Sequence, residues 1–439
     1  MEKARFGSLQ PNVDDILDWN NYKPGDFDAA NADEKASFIA DRESVGYWAD
    51  AWRRLRKNKV AMVAAGILIL IFLFAFLGPV VVPSGYEQFL KGGENMHPWH
   101  YSYEDQVKAR EMVAAGNMDP EEAVAKAEAE AAAQGKTLSP KELAVIRAKA
   151  KAGNHGEGKL TIEQALAEIG AKARPFGYSF EELERKANGE SVFPHVFGTD
   201  GFGRDIMVRV MMGTRVSILV GVLAALLVLV IGALYGSISG YCGGRVDAIM
   251  QRVVDVIYAM PEVLVILLIS VVLNETLLAY ADTHQGTVLA MAISSLGTKL
   301  IAMFIAFGLL YWVTMSRIIR GQIIQLKEQE YVTAAKALGA KGGRIIRRHL
   351  LPNCIGQIVT TTFLQIPSAI FLESFLSYLG VGVSAPMTSL GSMASDALKG
   401  IISYPYRLIF PAVLLSLMIL CFNLFGDGLR DALDPRLKK

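Results

Sequence analysis

The sequence has few charged residues for its length and almost no net charge. Of its 439 residues only 20% are charged, and 44 Lys and Arg residues stand against 43 Asp and Glu residues. A nucleic-acid-binding chain usually carries a basic excess or stripe, so we expect no nucleic-acid partner. Cysteine is equally scarce: Cys242, Cys354 and Cys421 all fall in or beside apolar stretches, which argues against a disulfide framework.

Motifs for catalysis and metal binding are also absent. The chain has no G-x-x-x-x-G-K-[ST], H-E-x-x-H or G-x-S-x-G pattern, so we expect neither ATP hydrolysis at a P-loop nor a hydrolase activity. His97, His100 and His155 come nearest to a metal site, but their spacing matches no ligand motif. The sequence therefore predicts a protein that is not an enzyme, with no catalytic residue, no metal and no cofactor.

Long apolar runs are what the sequence does contain. A helix needs roughly 20 apolar residues to cross a bilayer. Hydrophobic residues make up 52% of the chain, its mean hydropathy is +0.31, and six runs are long enough to span: Val60–Val82, Val216–Tyr241, Val253–Leu273, Leu300–Ser316, Ile355–Val383 and Leu408–Phe425. These runs predict an all-α polytopic membrane protein with six transmembrane helices.

Lys and Arg in the short flanks indicate the orientation of the runs. A basic collar, Trp52–Lys59, precedes the first run, and Arg317–Arg348 between runs four and five is rich in cations. The connection Asn274–Thr298 has none. Because cytoplasmic flanks carry the excess of Lys and Arg, we expect both termini and the basic loop to be cytoplasmic.

Four segments follow from this pattern. They are a cytoplasmic tail (residues 1–46), a basic Trp-bearing interfacial helix with the first span (47–83), an extracytoplasmic insertion (84–194), and a core of five spans with a cytoplasmic loop at 317–352 (195–439). The basic helix is either interfacial or simply the solvated start of span one. Repeated helix-start signals in the Ala- and Glu-rich insertion predict four or five short helices and essentially no strand.

The cytoplasmic loop carries the most informative motif. Glu330–Lys341 and the following residues up to Pro352 predict two short helices joined at Gly339, where a left-handed turn costs little. Ala334, Ala335 and Leu338 share one face of the first helix, and the second should stop before Pro352. A small apolar face flanked by cations is typical of a helix that docks in a groove of another protein.

This pattern resembles the EAA loop of ABC importer permeases, E-A-A-x3-G-x9-I-x-L-P. Thr333 stands where Glu is typical, and His349 where Ile is typical, although Arg348–Asn353 is similar to the peptide-importer branch. The resemblance assigns a set of residues to coupling with an ATPase: Tyr331, Thr333, Ala334, Ala335, Leu338, Gly339, Arg344, His349, Leu351 and Pro352.

Further motifs extend the resemblance to the C-type subunit of oligopeptide and dipeptide permeases. They are Trp52–Lys59, Phe197–Asp205 with Arg209, Gly240–Asp255, Leu379–Gly382 and Gly426–Arg436. The resemblance implies the type I ABC importer permease fold in a bacterial inner membrane and a peptide substrate. It also implies three kinds of partner: a homologous second permease subunit, two ATP-binding subunits that alone bind ATP, and an extracytoplasmic substrate-binding protein.

Polar residues inside the runs are candidates for the translocation path. Such residues are costly in a membrane unless they face water or each other. Glu262, Gln365 and Glu373 are the candidates; the alternative is that Glu262 lies at the interface and Glu373 packs within the subunit. For Asp255 we expect an interfacial position. Gly221, Gly232 and Gly236 are typical of close helix packing rather than of transport chemistry.

Two readings from other classes stay open at this stage. The chain could be an ATP-independent channel whose basic loop only sets topology, or a membrane scaffold whose insertion binds a partner. The channel reading predicts conduction by this chain alone, whereas the importer reading predicts an associated ATPase.

Overall fold

The computed structural model describes residues 46–117, 120–133, 138–153, 160–383 and 387–433. The chain divides into two compact units, Met1–Asp50 and Ala51–Lys439. Of the predicted cytoplasmic tail, residues 1–45 lie outside the described residues. The helix Tyr47–Lys57 ends before Asn58, whose side chain accepts a hydrogen bond from the Ala61 backbone N–H at 3.1 Å and so caps the next helix.

Among the described residues, six helices are long and apolar enough to cross a membrane, in agreement with the predicted number. We name them span one to span six in chain order: Lys59–Phe76, Ile206–Cys242, Glu262–Thr283, Thr298–Leu326, Gly342–Tyr378 and Tyr406–Leu433. Span four is formed by Thr298–Leu310 and Trp312–Leu326, which follow each other directly. Short helices join the spans: Gly78–Val81, Gly244–Ala259, Val288–Leu296 and Leu390–Ala397, the last followed by the 3-10 turn Leu398–Gly400.

The predicted start of span three, at Val253, is wrong. A separate amphipathic helix ends at Ala259, and span three begins at Glu262. Met260 between them is extended (φ −76°, ψ 141°), because the ring of Pro261 disfavours helical backbone in the preceding residue. Asp255 consequently lies on the separate helix, outside the span.

The predicted end of the second loop helix before Pro352 is also wrong. The chain stays helical from Gly342 to Tyr378, passing through a wide π turn (Ile346–Leu350) and a 3-10 turn (Leu351–Cys354). Proline lacks an N–H and clashes with the carbonyl four residues back in a regular α-helix, and the change of helix type at this point accommodates it. The loop predicted to be cytoplasmic is thus continuous with span five.

Span two is the centre of the membrane part and packs most closely on spans four and five. A side chain at Gly221 would meet Ile370 of span five, and one at Gly232 would meet Met315 of span four. At Gly236 it would run into the Ser316 carbonyl oxygen. The prediction that these glycines serve close helix packing is confirmed.

The described part of the insertion contains five helices, in agreement with the four or five predicted, and one small strand pair that was not expected. The helices are Tyr103–Gly116, Pro120–Ala133, Pro140–Gly153, Ile162–Glu168 and Phe180–Ala187, and Trp99–His100 pairs antiparallel with Arg174–Pro175. Thr161 with Gln164 and Ser179 with Glu182 form capping boxes.

A buried charged cluster joins the insertion to span two. The imidazole of His195 lies between two carboxylates, with Nδ1 at 2.5 Å from Asp205 and Nε2 at 3.1 Å from Glu182. Burial disfavours the charged form of His195 most strongly, but the hydrogen bonds and charges of Asp205 and Glu182 outweigh it and raise the pKa to about 9. Because Asp205 caps span two and Glu182 lies in the last insertion helix, the charged imidazole connects the two.

Candidate coupling loop and translocation cavity

The helix Glu330–Ala337, which we name the coupling helix, has Val332 as its buried residue. Val332 is completely buried in the same cluster as Ile345, Leu350 and Cys354. The helix ends in a Schellman motif: the Ala340 N–H donates to the Ala335 carbonyl, and the intervening Gly339 has a φ of +80°. The turn needs glycine because of its backbone angle, not its space, since nothing lies within 4 Å of an added Cβ.

The rest of the coupling helix presents side chains outward. Leu338 is 89% exposed and Tyr331 39% exposed, while Thr333 and Ala334 are exposed and Ala335 is half-buried. Leu338 is the most exposed of these side chains and follows directly after the helix. The face predicted for docking is therefore accessible in the single subunit.

The remaining predicted coupling residues lie on the segment that follows Gly339. Arg344 and Pro352 are exposed, whereas His349 and Leu351 are half-buried beside the buried Leu350. The Asn353 amide donates to the His349 carbonyl at 2.6 Å and to the Tyr331 hydroxyl at 3.3 Å. These contacts tie the segment back to the coupling helix.

An ion-pair network behind the loop was missed as a site from the sequence. Arg320 of span four donates through Nε and Nη2 to the two oxygens of Asp247, at 2.6 and 2.5 Å. The Arg320 hydrogen bond is the main cause that lowers the pKa of Asp247 to about 2, and the Ser239 hydroxyl donates to the same carboxylate. In the sequence, Asp247 and Arg320 are visible only as opposite charges beside two different apolar runs. Their spacing along the chain does not indicate that they form a pair.

Span two ends against the same loop. Lys327 donates to the Gly240 carbonyl at 3.0 Å, and Lys336 of the coupling helix lies over the Tyr241 ring at 5.8 Å. A side chain at Gly342 would clash with that ring. The coupling helix is thus linked through short contacts to spans two, four and five, so that a displacement of it would be carried into all three.

A cavity of about 610 Å³ brings two of the three predicted path residues together. Glu262, at the start of span three, and Gln365, in the middle of span five, both line it. The other polar residues of its wall are hydroxyl-bearing: Tyr258, Tyr311, Thr314 and Ser368. A wall of one carboxylate, one amide and several hydroxyls can hydrogen-bond a polar solute at this depth.

Glu373 does not line this cavity. It is completely buried, and its carboxylate accepts hydrogen bonds from Ser377 at 2.7 Å, Ser217 at 2.8 Å and Ser374 at 3.2 Å. It therefore packs within the subunit between spans two and five, which was the alternative interpretation. Asp255, on the helix before span three, pairs with Arg317 at 2.9 Å.

The described histidines do not converge on a metal site. His97 stacks on Trp99 at 4.5 Å, and His100 contacts the Phe176 carbonyl through Nδ1 at 2.6 Å. His155 lies outside the described residues. Among the residues that the structure describes, no group of three or more His, Cys, Asp or Glu side chains could hold a metal ion.

Comparison with known proteins shows what kind of protein carries these features. Residues 230–439 match the family of binding-protein-dependent transport system inner membrane components, and residues 46–98 match the N-terminal TM domain of oligopeptide transport permease C. The chain is 33% identical over 399 residues to the dipeptide transport system permease protein DppC of Bacillus subtilis (strain 168), covering 91% of this chain and 88% of that one. It belongs to the C-type permease family of oligopeptide and dipeptide ABC importers.

Two oligopeptide permeases match a shorter part of this permease. The oligopeptide transport system permease protein OppC of Bacillus subtilis (strain 168) is 48% identical over 245 residues, which is 56% of this chain and 73% of the relative. The OppC protein of Escherichia coli (strain K12) is 40% identical over 242 residues, 55% of this chain and 72% of the relative. The predicted family and fold class are confirmed.

The two family matches leave residues 99–229 between them, and this stretch includes most of the insertion. The coupling helix and the network of Asp247 and Arg320 fall inside the first family match, at residues 230–439.

Proposed function

We propose that this permease subunit forms half of the translocation path of an ATP-driven peptide importer. The coupling helix docks in a groove of a separate ATP-binding subunit, with Leu338 as its central apolar contact. The observation that carries the proposal is that Leu338, which caps the C-terminal end of the coupling helix, is 89% exposed, whereas Val332 within the helix is completely buried. Such a helix is held by the permease on one side and offered to a partner on the other.

The partners follow from the family. A second, homologous permease subunit completes the path, two ATP-binding subunits supply the energy, and an extracytoplasmic binding protein delivers the substrate. The chain itself binds no nucleotide and no cofactor and catalyses no reaction. Peptides are the proposed cargo because the relatives are named as oligopeptide and dipeptide transport proteins. The protein sits in the bacterial inner membrane with both termini cytoplasmic.

Energy passes from the coupling helix to the spans by direct contact. Closure of the ATP-binding subunits displaces the coupling helix, and the buried contacts of Val332 pass that displacement to span five through Ile345 and Leu350. The pairing of Arg320 with Asp247 keeps span four and the helix before span three together during the movement. The cavity walled by Glu262 and Gln365 then alternates its access between the two sides of the membrane.

The proposal is tested by introducing a charge at the tip. Leu338→Asp places a carboxylate in an interface that we expect to be apolar, so co-purification of the ATP-binding subunits should fall roughly tenfold or more. Leu296→Asp makes the same change at an exposed leucine (46% exposed) in the connection between spans three and four, and should leave co-purification intact. Full ATPase association and ATP-driven uptake in Leu338→Asp would exclude this docking mode.

A further inference from the structure

A second cavity, of about 350 Å³, lies where the insertion rejoins the membrane part. Three elements meet there: the turn before span two, the helix Leu390–Ala397 with the turn after it, and the start of span six. Its charged wall consists of Asp200, Arg204, Arg209, Asp396, Lys399 and Arg407. Four cations against two carboxylates leave this cavity with an excess of positive charge.

One of the two carboxylates is already committed to its own surroundings. Asp200 accepts hydrogen bonds through Oδ1 from the backbone N–H groups of Phe202 and Arg204, at 2.9 and 3.0 Å. Its Oδ2 accepts from Arg204 Nε at 2.8 Å and lies 3.7 Å from Arg209 Nε. Asp396 is the other carboxylate of the wall, which also contains Lys399 and Arg407.

Arg407, which lines this cavity, has two hydrogen-bond donor atoms without an acceptor. Its Nε and Nη2 atoms are buried and have no hydrogen-bond partner among the residues that the structure describes, and its guanidinium lies over the Tyr404 ring at 4.6 Å. Buried guanidinium N–H groups without an acceptor are costly. The Tyr404 ring and a hydrogen bond with the Tyr406 side chain are the contacts that Arg407 does make.

Another arginine of this chain, Arg320, binds a carboxylate through the same two atoms that are unpaired in Arg407. Arg320 uses the same two atoms, Nε and Nη2, to hold both oxygens of Asp247. Side-on pairing of a guanidinium with a carboxylate gives two parallel charge-assisted hydrogen bonds. The missing acceptor therefore has the chemistry of a carboxylate.

We propose that this cavity binds a carboxylate group, with Arg407 as its bidentate partner and Lys399 adding charge from the rim. The inference deepens the proposed function and rests on it for the source of the ligand. Two carboxylates would reach this face of a peptide importer, namely the C-terminus of an arriving peptide and an acidic side chain of the delivering binding protein. Both would make the same contacts with Arg407.

The first arm of the test uses a small probe. The assembled transporter in lipid nanodiscs is titrated with acetyl-Ala-Ala bearing a free C-terminal carboxylate and with the same dipeptide amidated. The free acid should bind more tightly, and Arg407→Gln should raise its Kd roughly tenfold or more. Arg407→Lys keeps the charge without the fork and should fall between. Arg174→Gln removes an exposed arginine of the insertion and should change nothing.

The second arm measures the affinity of the purified binding protein for the same complexes. If the source of the carboxylate is the binding protein, Arg407→Gln lowers this affinity roughly tenfold while Arg174→Gln leaves it unchanged, and neither dipeptide shows a dependence on Arg407. If Arg407→Gln does not assemble, both measurements are made with Lys399→Gln instead, because Lys399 is exposed. This substitution should weaken binding of the carboxylate by a few-fold.

Unchanged binding in both arms for Arg407→Gln or, where that variant does not assemble, for Lys399→Gln would overturn the proposal. Failure of the proposed function looks different: wild-type preparations would then contain no ATP-binding subunit and show no ATP-dependent uptake. The dipeptide titration does not depend on transport, so it reports on the cavity in either case.

Discussion

At the scale of single residues, the polar side chains described above fall into two groups. His195, Asp247 and Glu373 each have their hydrogen-bonding capacity met within the subunit, by two carboxylates, by Arg320 with Ser239, and by three serines respectively. Such groups hold elements together. Glu262 and Gln365 instead face a cavity, and these two are the residues that we expect to contact cargo.

We predict that the attachment of the last insertion helix to span two weakens as pH rises. The pKa of His195 is raised from 6.5 to about 9 in the folded protein, so its stabilising effect is complete below about 6.5 and is lost as pH rises to about 9. Between these values the opening equilibrium of Phe180–Ala187 should increase by up to about tenfold per pH unit. Hydrogen exchange of these amides between pH 6 and 10, corrected for intrinsic rates, measures it.

His195→Gln is the control for this titration. It removes the titrating group, so the amides should be less protected at neutral pH and their opening should no longer vary over the window. An unchanged pH dependence in His195→Gln would assign the effect to another group.

At the scale of elements, the coupling helix and span five form one continuous structural unit. The backbone turns once, at Gly339, and then stays helical through a π turn and a 3-10 turn into span five. A displaced coupling helix therefore moves a helix that lines the cavity at Gln365. This arrangement makes the angle at Gly339 a determinant of coupling.

We predict that Gly339→Val uncouples transport without preventing assembly. A β-branched residue at a φ of +80° costs at least about 1–2 kcal/mol, and the helix end can relieve that strain only by reorienting. ATP-driven uptake should fall roughly tenfold, while membrane insertion and subunit composition stay as in the wild type. Uptake assays and gel filtration of the same preparation measure the two effects.

Two substitutions serve as controls for Gly339→Val. Gly339→Asn should keep most of the uptake, since Asn tolerates a left-handed backbone. Gly343→Val introduces the same side chain a few residues later, where there is open space and no positive φ, and should be nearly neutral. Equal losses in Gly339→Val and Gly343→Val would refute a specific role of the turn.

The sequence was sufficient for the number of spans, for the family and for the position of the coupling turn, because these depend on local patterns of apolar residues and on glycine. It misplaced the start of span three and the end of the second loop helix, since prolines gave ambiguous signals: Pro261 separates two helices, whereas Pro352 is accommodated in one. The pairing of Arg320 with Asp247 and the burial of Glu373 depend on contacts between distant spans, which no local pattern encodes.

At the scale of the whole molecule, the insertion is built in two parts. Its ends are attached to the membrane part through the cluster of His195 and through Thr199, whose hydroxyl contacts the Gly93 carbonyl and accepts from the Met96 N–H. The second part of the insertion consists of the helices Pro120–Ala133 and Pro140–Gly153. Asn117 closes their base by exchanging two hydrogen bonds with the Leu160 backbone, at 2.8 and 2.9 Å.

We predict that residues 118–159 can be deleted without loss of the permease core. Because Asn117 and Leu160 are already in contact, a short Gly-Ser linker can join them and leave the helices Tyr103–Gly116 and Ile162–Glu168 packed together. Thermal unfolding in detergent and ATPase co-purification should match the wild type. A loss of assembly would show that the deleted helices are part of the core.

ATP-driven uptake by the reconstituted complex tests the central claim most directly. The permease is reconstituted in proteoliposomes with its partner permease, its ATP-binding subunits and the binding protein, and uptake of a labelled peptide is followed with and without ATP. Our account predicts uptake that requires ATP and all the partners, that Leu338→Asp abolishes and that Leu296→Asp preserves. Flux of the peptide through this chain alone, independent of ATP, would contradict it and would favour a channel.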